Sequence, residues 1–371
     1  MKTNGFLGID IGTQGLSVIF TDTELKILAS GEGDYDMVSG LDSECYEQQP
    51  YDWENALTCA MTALREKTSS MQIDMDVLAI GISGQMHGEV LTSKDGEPVG
   101  PARLWCDGRN EAEGKELTER LGTKCPKRMT AVRWLWTIRN QPEKAAHVSH
   151  MTTPAGWIAY RLTGCWNLGI GDAAGMFPID QQSLTYNTHM LADFDAIATQ
   201  SAKKSSSSST LPKLSDLLPS VKKAGEDGGS LDAHGAQLLG LPEGIPVAPA
   251  EGDQPAALAG SLIATPGQVS MSFGTSVVAN SVGDRAFEGI SIPIDHFCAP
   301  DGRPINMVWL RNGTTAMNMA VNLFGGDFST IMPQVLAAEA DCGGLLALPF
   351  MDDEPGLGVS QGGTAMVIGL N

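Results

Sequence analysis

A chain of 371 residues is longer than one hydrophobic core organises, so about two domains are expected. Its 44 acidic residues against 24 basic ones leave a net charge of −20, which argues against a nucleic-acid or anionic-membrane surface and for a soluble, cytoplasmic protein. Any phosphate it binds must then be held locally, by backbone N–H groups, a helix N-terminus or a divalent cation.

Seven cysteines (45, 59, 106, 125, 165, 298 and 342) are odd in number and scattered, with no CxxC pair, so neither a disulfide framework nor a zinc site is expected. The N-terminus runs into Phe6-Leu7-Gly8-Ile9-Asp10, and no cleavable apolar leader is expected. No stretch approaches the ~18 uninterrupted apolar residues of a membrane helix.

In chain order, residues 5–11, 16–21 and 26–31 read as three short strands of a β-meander, whose first turn is Gly12-Thr13-Gln14-Gly15. Residues 50–67 carry Trp53, Leu57, Met61 and Leu64 at helical spacing, with Asp52 suited to the N-terminal turn. Buried strands follow at 77–82 and 89–92, and this succession describes an α/β sheet rather than a barrel. Residues 108–165 are helix-rich, with 131–138, including Trp134 and Trp136, expected as a buried helical segment. The run Lys203-Lys204-Ser205-Ser206-Ser207-Ser208-Ser209 reads as a solvated loop or insertion without chemistry.

From residue 245 the pattern resets: an apolar strand at 246–249, a tight turn at Asp253, a small-residue helix at 255–263, and a strand–turn–strand unit at 268–281. That hairpin repeats the plan of residues 6–20, an apolar strand, a Gly-Thr turn and a second apolar strand. Two domains, 1–244 and 245–371, each with such a hairpin, suggest a duplicated architecture around a cleft.

Five groups of residues could carry chemistry. In Gly252-Asp253-Gln254-Pro255-Ala256-Ala257, a single carboxylate on a tight turn before a helix is placed to act as a catalytic base. Asp10 stands in an apolar strand directly before Gly12-Thr13, where a buried charge is costly unless a cation or hydrogen-bond donors meet it; a metal-linked role and a simple turn cap are both open. The Gly-Thr pairs at 12–13 and 274–275 let backbone N–H groups approach phosphate oxygens. Ser83-Gly84-Gln85-Met86-His87-Gly88 follows a buried strand end, where ligands of open α/β sheets gather, and Trp105-Cys106-Asp107-Gly108-Arg109 adds an aromatic ring, a carboxylate and a guanidinium. The plainer alternatives are a structural histidine at 87 and an Asp107–Arg109 salt bridge that only stabilises its loop.

Taken together and in order, these segments resemble the FGGY carbohydrate kinases, most closely their xylulokinase-like, pentulose-phosphorylating branch. The resemblance rests on Asp10-Ile11-Gly12-Thr13, Tyr46-Glu47-Gln48-Gln49-Pro50 with Trp53, Gly84-Gln85-Met86-His87-Gly88, Trp105 to Arg109, Asp172-Ala173-Ala174-Gly175, Gly252-Asp253 and Ser272 to Ser276. It implies an actin-like, ribonuclease-H-like pair of domains, with sugar bound mostly by the first and ATP by the second, and closure of the cleft excluding water.

By the same resemblance, Asp253 takes the proton of a ketopentose hydroxyl, xylulose being the leading substrate, as that hydroxyl attacks the γ-phosphorus. Asp10 positions the Mg²⁺ of MgATP. Gly12, Thr13, Gln14, Ser272, Gly274 and Thr275 cradle phosphates, while Gln85, Met86, His87, Trp105, Asp107, Arg109 and Gln254 face the sugar.

Two departures stand out. Gln254-Pro255 follows the base where family members commonly carry Asn, which bears on sugar choice. The family's glycine-rich adenosine-binding motif does not occur before residue 371, so the chain is expected to be a fragment of a longer kinase whose second domain is incomplete. The apolar run Leu345-Leu346-Ala347-Leu348-Pro349-Phe350 is then short of partners, which predicts poor stability or self-association, a homodimer in the simplest case. Alternatives to a kinase are a non-catalytic sugar-binding or regulatory protein unable to bind ATP, and an actin-like ATPase, against which Met86-His87 and Gly252-Asp253 both argue.

Overall fold

The N-terminal segment folds as the expected meander, with β1 (Lys2–Ile11), β2 (Gly15–Asp22) and β3 (Ile27–Asp34) pairing antiparallel in sequence order. Helix α1 (Pro50–Ser70) starts with a proline, whose missing N–H costs nothing in the first turn; Asp52 in that turn and Lys67 in the last complement the helix dipole. Its buried stripe of Trp53, Leu57, Ala60, Met61 and Leu64 packs against β2 and β3.

The chain then enters β4 (Asp74–Gly84), which runs parallel to β1 and sets Ser83 opposite Asp10 and Gly84 opposite Ile11. Helices α2 (Glu111–Leu121), α3 (Thr130–Asn140), α4 (Pro154–Thr163) and α5 (Ile170–Met176) follow. The short strand β5 (Glu251–Gly252) closes the sheet, parallel to β4 with Glu251 opposite Ser83, and α6 (Asp253–Gly260) begins at the next residue. The sheet order is therefore β5–β4–β1–β2–β3. Three parallel strands end together, and the residues at those ends are Asp10, Ser83 and Glu251.

The computed structural model describes residues 2–204, 211–263, 265–274, 276–285, 294–354, 357 and 359–369; of the low-complexity run, 205–209 lie outside these. The chain divides into two compact units, Met1–Leu262 with Phe297–Pro304, and Ile263–His296 with Ile305–Asn371. In the second unit, β6 (Ser270–Phe273) and β7 (Val277–Val282) form the expected hairpin. With β8 (Ile294–Cys298) and β9 (Pro304–Leu310) they make a sheet of order β6–β7–β9–β8, followed by α7 (Thr314–Leu323) and α8 (Phe328–Ala337). Leu345 and Leu346 of the apolar run are exposed, as are Phe324 and Leu336.

Two expectations need correction. The strand at 246–249 reduces to two isolated bridges, Val247 parallel to Ile80 and Pro246 antiparallel to Ser230, because Pro246 and Pro249 bring no N–H to a ladder. The helix placed at 255–263 starts at Asp253, so the carboxylate occupies the first helical position instead of the turn before it. Residues 131–138 do lie in a buried helix, and its interior also holds Arg133, fully desolvated and with its pKa pushed down to about 9 by burial.

Trp53 is completely buried, its ring edge-to-face with Trp157 at 6.2 Å and its Nε1–H donating to Gln48 Oε1. Trp53→Ala should lower the unfolding free energy by about 3–5 kcal/mol, the cost of truncating a large core aromatic. Urea denaturation measures this, and a loss below about 1 kcal/mol would contradict the packing described.

Candidate active site

Asp253 sits at the first position of α6, half-buried, with Gly252 as the N-cap. Desolvation pushes its carboxyl up to about 6; the backbone N–H of Gln254 pulls the other way, and the Asp10 charge adds to the rise. A carboxyl so tuned is ionised at neutral pH yet basic enough to accept a proton.

Asp10, expected in a buried setting, is exposed. Alternation along β1 turns Leu7, Ile9 and Ile11 into the core and presents Asp10 on the other face. Ser83 Oγ donates to Asp10 Oδ1 at 2.7 Å, so the end of β4 fixes the end of β1. A cavity of about 310 Å³ opens here, lined by Asp10, Ser17, Ser83 and Ala256 among others. Mg²⁺ commonly takes one or two protein carboxylates, with phosphates and waters completing its shell, and an exposed Asp10 fits that pattern. Among the described residues no group of three or more His, Cys, Asp or Glu could hold a metal by itself.

The Gly12–Gly15 turn is closed by Gly12 N–H donating to the Gly15 carbonyl at 2.9 Å. The Tyr35 hydroxyl lies 2.5 Å from the Gly12 carbonyl oxygen and 3.0 Å from that of Gly15, and burial together with Asp10 keeps its proton on. Gln14 is exposed on this turn.

Thr13 leads into a chain of side-chain hydrogen bonds. Its hydroxyl donates to Gln85 Oε1 at 3.2 Å and accepts from Trp105 Nε1 at 3.1 Å. Gln85 Nε2 donates to Gln48 Oε1 at 2.9 Å, the same oxygen that Trp53 serves, and Gln48 Nε2 donates to the Thr13 carbonyl at 2.8 Å. The structure thus brings Thr13, Gln85 and Trp105 together through Gln48.

Met86 and His87 are both buried. His87 adopts the left-handed backbone region, φ 66°, which is costly for a non-glycine residue. Its carbonyl is held by Thr130 Oγ1 at 3.1 Å and Arg133 Nη1 at 2.8 Å, its Nδ1 lies 3.0 Å from the Gly175 carbonyl, and its ring packs on Phe297. Met86 packs on Gly252, where an added Cβ would come within 2.4 Å of Met86 Cγ. The turn after β4 is thereby built against the residue that precedes Asp253.

Asp107 and Arg109 pair with each other. Asp107 is fully buried and accepts from Arg109 Nη2 at 2.7 Å and from the Tyr46 N–H at 2.9 Å, while Arg109 also reaches Glu47 at 2.5 Å. Trp105 is half exposed on the loop that they brace. Gln254 is half-buried at the second position of α6. In the second unit, Ser272 and Gly274 are exposed on the β6–β7 hairpin, and the Gly274 carbonyl accepts from Thr314 N–H at the start of α7. Thr275 lies outside the described residues.

The sequence gives no sign of Tyr35, of the bridging role of Gln48, or that Asp172, singled out only as part of a motif, is buried beside a second carboxyl, Glu251. The one available signal was an acidic residue inside an apolar, small-residue run, at Pro249-Ala250-Glu251-Gly252 and Ile170-Gly171-Asp172-Ala173.

Residues 6–260 match the family model described as "FGGY family of carbohydrate kinases, N-terminal domain". The xylulose kinase of Haemophilus influenzae is 27% identical over 362 residues, 94% of this chain and 70% of the relative. That of Streptomyces coelicolor is 28% identical over 370 residues, 96% of this chain and 69% of the relative. Among solved structures, the xyloylose kinase of Brucella ovis superposes with a TM-score of 0.82 at 22% identity, covering 99% of this chain and 73% of that one. The xylulose kinase of Rhodospirillum rubrum gives 0.81 at 20% identity with the same coverage. The fold is accordingly the actin-like, ribonuclease-H-like one, and the chain belongs to the FGGY family of carbohydrate kinases.

Proposed function

We propose that this carbohydrate kinase transfers the γ-phosphoryl group of MgATP to a hydroxyl of a ketopentose such as xylulose, with Asp253 as the base. The observation that carries the reading is the Asp253 carboxyl at the start of α6, partly desolvated and poised at about 6 beside the exposed Asp10. Xylulose is favoured because the relatives described above are xylulose kinases.

In the proposed reaction the acceptor hydroxyl gives its proton to the Asp253 carboxylate as its oxygen forms the new bond to phosphorus. The bond from phosphorus to the bridging oxygen breaks, and ADP leaves with that electron pair. Asp10 would hold Mg²⁺, which when bound neutralises phosphate charge. Phosphate contacts are assigned to Gly12, Thr13 and Gln14 and, in the second unit, to Ser272, Gly274 and Thr275. Gln85, Met86, His87, Trp105 and Gln254 are assigned to the sugar; Asp107 and Arg109 brace the loop that presents Trp105. A division of labour at residue 244/245, sugar before and nucleotide after, belongs to the same proposal.

Asp253→Ala should lower kcat by about 10²–10⁴ with the fold intact, as loss of a general base does. A coupled assay of ADP release with xylulose measures this, and a near-normal rate would refute the assignment. The base must be deprotonated to work, so kcat/KM should be level above pH 7 and fall about tenfold per unit below about 6. A profile flat down to pH 4.5 would show that no such carboxyl governs the reaction. Gly252→Ala forces Met86 to move and should raise the sugar KM well before it affects the ATP KM; equal changes in both would remove Met86 from the sugar site.

A further inference from the structure

We infer that Glu251 is a positioning residue for Asp253: its carboxyl clasps the end of β5 to the first turn of α5 and so fixes where the base two residues later can stand. The inference rests on the assignment of Asp253 as the base.

Glu251 is buried at the strand end, and one residue separates it from Asp253. Its Oε2 accepts the Asp172 N–H at 3.1 Å, and its Oε1 lies 3.4 Å from the Gly171 nitrogen. The strand end is tied to the same helix start by backbone as well, since Gly169 N–H donates to the Ala250 carbonyl at 2.7 Å. There is no slack in the fit: a Cβ added at Gly171 would come within 2.4 Å of Glu251 Oε2 and within 2.7 Å of Pro255 Cβ on α6. Gly171 therefore stands where any larger residue would strike both the Glu251 carboxyl and the helix that carries Asp253.

A second feature separates this clasp from ordinary core packing. The partner helix supplies Asp172, itself fully buried, whose Oδ2 accepts from Thr153 Oγ1 at 2.6 Å while Oδ1 has no hydrogen-bond partner among the described residues. Thr153 in turn caps α4. Among the described residues, Asp172 on α5 and Cys298 of the 297–304 segment both feel the Glu251 charge, and Asp172 also feels that of Asp253 on α6. Glu251 forms no ion pair among the described residues, and burial pushes its carboxyl up to about 8. Two acids buried without a cation cost stability. At this spot Glu251 supplies its acceptor to the start of α5, and Asp172 accepts the Thr153 hydroxyl.

The test compares Glu251→Asp, shorter by one methylene, with Glu251→Gln, which keeps length and an acceptor oxygen. A misplacement of the base on the order of 1 Å costs about 10²-fold in rate, so Glu251→Asp should lose kcat about tenfold or more with sugar and ATP KM within about threefold of the wild type. Glu251→Gln should stay within about threefold of wild-type kcat. A role in stability alone would lower Tm in both variants and leave kcat unmoved. Titration of the ¹³C-labelled Asp253 carboxyl gives a readout that needs no turnover: its midpoint should move in Glu251→Asp and hold in Glu251→Gln. Equal kcat and equal midpoints in the two variants overturn the inference. A wild-type chain matched in rate by Asp253→Asn would instead sink the proposed function, and the two failures are thereby distinguished.

Discussion

The structure depends on three parallel strands ending side by side, because their register delivers Asp10, Ser83 and Glu251 to one edge of the sheet and launches α6 from the next residue but one. Backbone hydrogen bonding sets this alignment, and side chains exploit it. Ser83 ties Asp10 in place, Glu251 ties β5 to α5, and Asp253 emerges at a helix start where its burial is partial. One register thus positions an exposed carboxylate suited to a hydrated cation and a desolvated one suited to a proton.

A second layer of organisation is the side-chain network through Gln48. Trp53 anchors that amide from the buried face of α1, and Gln85, Thr13 and Trp105 complete the chain toward the surface. The core is coupled to the turn after β4 in this way, since the tryptophan that fills the space behind the sheet also orients the polar groups in front of it. The left-handed His87 is maintained by the same logic. Thr130 and Arg133 hold its carbonyl, and the cost of burying a guanidinium is accepted where a strained turn has to be kept.

Much of this was legible in the sequence. Apolar alternation gave the meander, the Trp53–Leu57–Met61–Leu64 spacing gave α1, and the turn after β4 was marked by polar residues between glycines. Asp253 stood out because a carboxylate between glycine and a small-residue helix has few structural reasons to be there. What could not be read were pairings across long separations. Gln48 with Gln85 spans 37 residues, and Asp172 with Glu251 spans 79. No local pattern reports which buried polar group will meet which. The exposure of Asp10 was misjudged for a different reason: neighbours in sequence are apolar, yet neighbours on its own face of the pleat are not the core.

Catalysis as proposed requires Asp253 to meet the acceptor hydroxyl. A crystal structure of the chain with xylulose, Mg²⁺ and a non-hydrolysable ATP analogue tests this most directly. An Asp253 carboxylate oxygen is expected within about 3.2 Å of the sugar hydroxyl that faces the terminal phosphorus. A sugar bound elsewhere, or an Asp253 side chain turned into the protein interior with no ligand in reach, would contradict it.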